Sequence, residues 1–263
     1  MIVGGGKMGQ ALAQGMVSSN AVSPDLLGIV EVSESLRAEL TIRFAKSVIS
    51  DHPLPARSTV LAVKPGDVEK VAASLGSDSK QRVLSIAAGV STSAIEVWLG
   101  GRPPVIRAMP NTPAMIGLGM TALCAGRYAS LSDIEWAESL LSAVGKCVVV
   151  KESQIDAITA VSGSGPAYIF LVAEAMIEAA VNEGLSWDLA RSLVVQTVHG
   201  AGAMLSEGSF SPTILRQNVT SPGGTTAAAI AALEEDAIRA AFAKAVARAR
   251  ERSAEITSEL FRH

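Results

Sequence analysis

From Met1 to about Val150, short apolar runs stopped by glycine or proline alternate with segments whose apolar residues recur at helical spacing. Ile2-Val3 reads as a strand that ends at Gly4, and Ala11, Leu12, Gly15 and Met16 then fall on one helix face. Leu27–Val32, Val60–Val63, Val83–Ile86, Val105–Met109 and Cys147–Val150 read as further strands. Leu36–Ile42, Val68–Leu75, Ile95–Leu99 and Ile134–Val144 read as the helices between them. Strands separated by helices predict a mainly parallel sheet covered on both faces.

The pattern changes around Lys151–Gln154, and from Asp156 onward no strand signal is found. Ile155–Val161 opens a helical region that Ser162-Gly163-Ser164-Gly165-Pro166 interrupts. Pro166 suits the first turn of a long helix running to about Glu183, which Gly184 ends. Trp187–Leu205, Pro212–Gln217, Ala227–Leu233 and Ile238–Phe261 read as further helices. The reading is an α/β dinucleotide-binding (Rossmann-type) domain over residues 1–152, followed by an all-α domain for dimerisation and substrate binding over 153–263.

Composition narrows the class. A net charge of −3 argues against a nucleic-acid partner. Two cysteines, Cys124 and Cys147, read as buried thiols, so a reducing, cytoplasmic setting is expected. The sequence shows no signal-peptide pattern, and the longest apolar stretch, Ala167–Val181, carries Glu174 and Glu178, so no membrane partner is expected. Yet mean hydropathy is +0.35. The excess apolar surface is assigned to an oligomer interface.

Three glycine-rich stretches carry candidate chemistry. Gly4-x-Gly6-x-x-Gly9 sits at the first strand-to-helix turn, where a dinucleotide fingerprint belongs. Glu31 ends the next strand, where a carboxylate can bond a ribose 2′-hydroxyl. Val32-Ser33 offers no adjacent cation for a 2′-phosphate, so NADH is expected to serve at least as well as NADPH. Ser221-Pro222-Gly223-Gly224-Thr225-Thr226 predicts a tight turn, its two glycines allowing positive φ, then a helix capped by Thr225 or Thr226. Hydroxyls, bare amides and the helix dipole there make a seat for a small anion. No metal-ligand pattern is found.

The order of Val63-Lys64-Pro65, Ala87-Ala88-Gly89, Arg107-Ala108-Met109-Pro110-Asn111-Thr112-Pro113, Val161–Tyr168 and Ser221–Thr226 resembles that of pyrroline-5-carboxylate reductases over essentially the whole chain. The resemblance implies hydride transfer from NADH or NADPH to the C=N carbon of Δ1-pyrroline-5-carboxylate, giving L-proline. It also implies a homodimer with interlocked α-domains, often built into a ring of dimers. The first strand is shorter than the family usually has. By resemblance, Gly4, Gly6, Lys7, Met8, Gly9, Glu31, Val63, Lys64, Pro65, Ala87, Ala88 and Gly89 bind the cofactor, and Asn218 approaches it across the domain boundary. Glu152 and Thr159 border the substrate side. Ser162, Gly163, Ser164 and Gly165 complete its wall. Arg107 and Asn111, polar in an otherwise apolar run, are expected to organise the interdomain hinge.

None of the three histidines lies in a motif. Imine reduction tolerates that, because the ring nitrogen can be protonated already, whereas ketone reduction normally calls for a strong proton donor. Thr226 is therefore expected near the ring nitrogen as the catalytic hydroxyl. Ser221, Gly223, Gly224 and Thr225 hold the carboxylate. Two other readings compete. A β-hydroxyacid dehydrogenase would want a lysine on an α-domain helix, and Ile155–Gln217 has none. A non-catalytic dinucleotide sensor would not need the hydroxyl motifs.

Overall fold

The computed structural model describes residues 1–76 and 81–260; Phe261 and the terminal His263 lie outside the described residues. The first half alternates as read. β1 (Ile2–Val3), α1 (Lys7–Ser18), β2 (Gly28–Val30), α2 (Glu34–Arg43), β3 (Val48–Ser50) and β4 (Ser58–Leu61) come first. α3 (Val68–Leu75), β5 (Arg82–Ser85), α4 (Thr92–Trp98), β6 (Val105–Met109), β7 (Gly119–Ala125), α5 (Leu131–Leu141) and β8 (Gly145–Val149) follow. They build one eight-stranded sheet in the order β3-β2-β1-β4-β5-β6-β7-β8. β1 to β6 are mutually parallel, β7 runs antiparallel to β6, and β8 is parallel to β7.

Adjacent residues of the central strands point to opposite faces, which is why they read as unbroken apolar runs. Ile2, Ile29, Val60, Leu84 and Ile106 pack on one face with Leu12 and Met16 of α1 and Leu141 of α5. Val3, Val30, Leu61, Val83 and Val105 pack on the other with Val68 of α3 and Ile95 of α4. The sequence reading missed β3 and β7. β3 is three residues long at the sheet edge. β7 is Gly-Met-Thr-Ala-Leu-Cys-Ala, whose alanines and glycine have weak strand preference; its burial comes from position in the sheet.

After β8 the chain is helical throughout the described residues: α6 (Ile155–Ile158), a π-helical turn (Thr159–Gly163), α7 (Gly165–Asn182), α8 (Trp187–Glu207), α9 (Pro212–Asn218), α10 (Thr225–Glu235) and α11 (Ile238–Leu260). Ser162–Pro166 interrupts the regular helix as read: a π turn closes there, with the Ser164 amide donating to the Thr159 carbonyl at 2.8 Å, and α7 starts at Gly165.

The chain forms two compact units, residues 1–164 with those from Arg248 onward, and Gly165–Ala247. The last turns of α11 belong to the first unit, where Ser253 Oγ donates to Asp156 Oδ1 at 2.7 Å. The second unit buries little. Ile177 of α7 and Ala190 and Val194 of α8 form its core, while Phe170, Trp187 and Phe210 are 62%, 56% and 54% exposed.

Candidate functional site

The first unit gathers its cofactor-binding candidates along one edge of the sheet. Gly4, Glu31, Val63 and Ala87 follow the carboxyl ends of β1, β2, β4 and β5, which run in one direction as neighbours. The strand order reverses between β1 and β4, and such a switch point opens a crevice for a ligand. A groove of about 440 Å³ lies there, lined by Gly4, Glu31, Val63 and Lys70 among others.

The glycine loop is shaped for close approach. Gly4 has φ +109°, and a Cβ on it would stand 2.4 Å from the Ala62 carbonyl oxygen. A Cβ on Gly9 would stand 2.0 Å from the Gly4 carbonyl oxygen. Position 6 is different, because a Cβ on Gly6 meets nothing within 4 Å. Gly6 is the N-cap of α1 and brings no capping side chain, leaving the helix start to Lys7, Met8 and Gly9 with amides that helix geometry provides with no internal acceptor. This open, amide-lined helix start fits a dinucleotide's pyrophosphate. Lys7 and Lys64 are exposed at the same edge, Val63 and Pro65 are half-buried, Ala88 is exposed, and Ala87 and Gly89 are buried.

Glu31 does more than the sequence suggested. Its Oε2 accepts from the Gly5 amide and its Oε1 from the Ser33 amide, both at 2.9 Å. The carboxylate thus braces the glycine loop against the start of α2. A cation is also adjacent, correcting the earlier expectation: Arg37 Nη1 donates to the carbonyls of Glu31 at 2.9 Å and Val32 at 2.8 Å. The signal was available, since Arg37 lies one helical turn beyond the Ser33 cap of α2. We expect Glu31→Ser to weaken NADH binding roughly 10- to 100-fold, as befits two lost charge-assisted bonds. NADPH should lose less. Fluorescence titration of both cofactors checks this; unchanged affinities would remove Glu31 from the site.

Glu152 is spent on internal contacts. Its Oε1 accepts from the Thr92 amide at 2.8 Å and from Arg107 Nη1 at 3.1 Å, and its Oε2 accepts from Thr92 Oγ1 at 2.8 Å. The Arg107 side chain is 6% exposed. β8 runs opposite to the parallel strands, so the chain leaves the sheet for Glu152 at the edge away from the glycine loop. Neighbouring Cys124 is buried, which pushes its thiol up to about 12, with the Glu152 charge adding to the effect. It stays protonated at neutral pH.

The segment after Glu152 packs back on the sheet through Ile155, against Ala122 and Cys124. Thr159 Oγ1 donates to the Ile155 carbonyl at 2.8 Å. Asn111, just past β6, donates from Nδ2 to the Ser162 carbonyl at 3.1 Å. Ser162, Gly163 and Ser164 are therefore tied to the carboxyl edge of β6, on the same side of the sheet as the glycine loop. Gly165 opens α7.

The remaining candidates lie in the second unit. Gly223 has φ +70°, but Gly224 does not share it and is the N-cap of α10 at φ −81°. Neither Thr225 nor Thr226 caps the helix; they are its first two residues. The Gly224 amide donates to the Ser221 carbonyl at 3.0 Å, so it is engaged inside the turn. The Ser221 hydroxyl oxygen lies against Gly224, where a Cβ would stand 2.4 Å from it. Thr226 is half-buried, and Asn218 is the exposed end of α9.

A family model described as pyrroline-5-carboxylate reductase dimerisation matches residues 152–256. Another, NADP oxidoreductase coenzyme F420-dependent, matches residues 1–89. The pyrroline-5-carboxylate reductase of Corynebacterium melassecola is 41% identical over 263 residues, covering 97% of each chain. The chain belongs to the pyrroline-5-carboxylate reductase family. The Methanosarcina acetivorans member is 42% identical over 259 residues, covering 97% of this chain and 96% of that one. The solved reductase from Coxiella burnetii superposes with a TM-score of 0.89 at 39% identity, covering 97% of both chains. The Plasmodium falciparum pyrroline carboxylate reductase, solved with NADP bound, gives 0.82 at 28% identity, also covering 97% of both. Both halves of the chain thus match the family, the sheet as well as the helices.

Proposed function

We propose a division of labour among these residues for the activity that the family carries. The chain reduces the C=N bond of Δ1-pyrroline-5-carboxylate with NADH or NADPH, giving L-proline in the last step of proline biosynthesis. The bound cofactor supplies the hydride. Gly4, Gly6, Lys7, Met8 and Gly9 hold its pyrophosphate and Glu31 its ribose, while Val63, Lys64, Pro65, Ala87, Ala88, Gly89 and Asn218 complete its contacts. Ser221, Gly223 and Thr225 hold the substrate carboxylate, with Gly224 shaping the turn. Thr226 hydrogen-bonds the ring nitrogen. Thr159 and Ser162 to Gly165 wall the substrate. Glu152 supports that wall through Arg107. The observation that carries this reading is the helix start at Gly224–Thr226, whose donors suit an anion beside a hydroxyl. The test is oxidation of NADH and NADPH, followed by absorbance, with pyrroline-5-carboxylate and with hydroxy- and keto-acids. Turnover confined to the hydroxy- or keto-acids would overturn it.

The chain self-associates through its helical region. We assign a homodimer, further assembled as a ring of dimers, with domains at 1–152 and 153–263, in the cytoplasm and without nucleic-acid or membrane partners. The helical stretch Glu152–Asn182 is long and apolar enough to cross a bilayer. Its apolar side chains suit a protein partner better, because Glu174 and Glu178 lie within it and a dimerisation model covers it. Sedimentation on dilution should show dimers or larger species down to low protein concentration, with loss of folded protein below that point. A stable, active monomer would contradict this.

A further inference from the structure

We propose that Asn111 is a positioning residue for the reaction, acting through the π turn that carries Ser162; this rests on assigning Ser162 to Gly165 to the substrate wall. The reason lies in a missing donor. In a helix the carbonyl of Ser162 would accept from the amide four residues on, and that residue is Pro166, which has no N–H. Asn111 Nδ2 supplies the donor instead, at 3.1 Å from the Ser162 carbonyl oxygen and 3.4 Å from its hydroxyl oxygen. The amide cannot turn over without loss, because Asn111 Oδ1 accepts from the Met120 amide at 2.9 Å. Met109, two residues earlier, closes the same spot: a Cβ on Gly163 would stand 2.8 Å from its methyl carbon. Asn111 and Met109 both come from the carboxyl end of β6, the edge that also carries the glycine loop and Ala87 to Gly89. One side chain therefore sets the wall's height and register relative to the cofactor edge.

The test uses the full-length enzyme and varies pyrroline-5-carboxylate and NADH separately. Asn111→Ala should lower kcat/KM for the imine about 10- to 100-fold, the scale of a small misplacement, with the KM for NADH unchanged. Asn111→Asp should be worse, since it keeps the bond from Met120 but sets a carboxylate against the Ser162 carbonyl. Pro166→Ala restores an N–H at that position, so in the Asn111→Ala background it should recover part of the lost activity. Normal imine kinetics in both Asn111 variants would overturn the proposal. So would an equal loss of NADH affinity, or a loss that follows melting temperature and is not relieved by Pro166→Ala. A wild-type enzyme inactive on the imine would instead defeat the assignment of function, before any variant is made.

Discussion

Thr226→Ala is expected to lower kcat roughly 30- to 1000-fold while leaving NADH affinity nearly unchanged. One positioned hydrogen bond in a dry site is worth about 2–4 kcal/mol at the barrier. Most of that is orientation, since hydride must reach one face of the C=N carbon. Ser221→Ala should behave differently. It touches the carboxylate in both ground and transition states, so the substrate KM should rise more than kcat falls. Steady-state kinetics with both substrates separate the two patterns. Near-normal kcat in Thr226→Ala would pass the proton-side role to Thr159, Ser164 or a water. Weakened NADH binding with normal imine binding would give the whole loop to the cofactor.

Glu152→Ala is expected to destabilise the fold by about 3 kcal/mol. It leaves the guanidinium of Arg107 without its partner at a buried position, and removing one member of such a pair is costly. The carboxylate is itself 31% exposed, which keeps the figure at the lower end. Denaturant melts of wild type, Glu152→Ala and Glu152→Gln check it, with the amide variant intermediate because it can still accept from Thr92. Unchanged stability together with a raised imine KM would return Glu152 to direct substrate contact.

Much of this was legible in the residues. The apolar runs give β1, β2, β4, β5 and β6 because buried parallel strands need both faces apolar, and β6 is found at the bounds read for it; β8, an exposed edge strand, was legible from its own valines. β3 and β7 escaped because a short edge strand and an Ala- and Gly-containing strand owe their conformation to neighbours rather than to local preference. The glycine fingerprint was readable because its constraints are steric and local. The bonds of Glu152 to Thr92 and Arg107 and of Asn111 to Ser162 were not, since these partners lie far along the chain and only the sheet order brings them together. The break at Ser162–Pro166 was readable from its glycines and proline, whereas the Asn111 bond that ties this turn to β6 was not.

The sparse core of Gly165–Ala247 has a consequence for how the protein is made. With Ile177, Ala190 and Val194 as its buried apolar centre, this stretch cannot offset its own ordering entropy before it meets another copy. Its helices should mature in a second-order step, so refolding after denaturant removal should quicken as chains become more concentrated. The sheet, which buries its own core on both faces, should regain structure first and at a rate indifferent to dilution. Between the two steps the chain exposes Phe170, Trp187 and Phe210, and encounter with a sister chain then competes with aggregation.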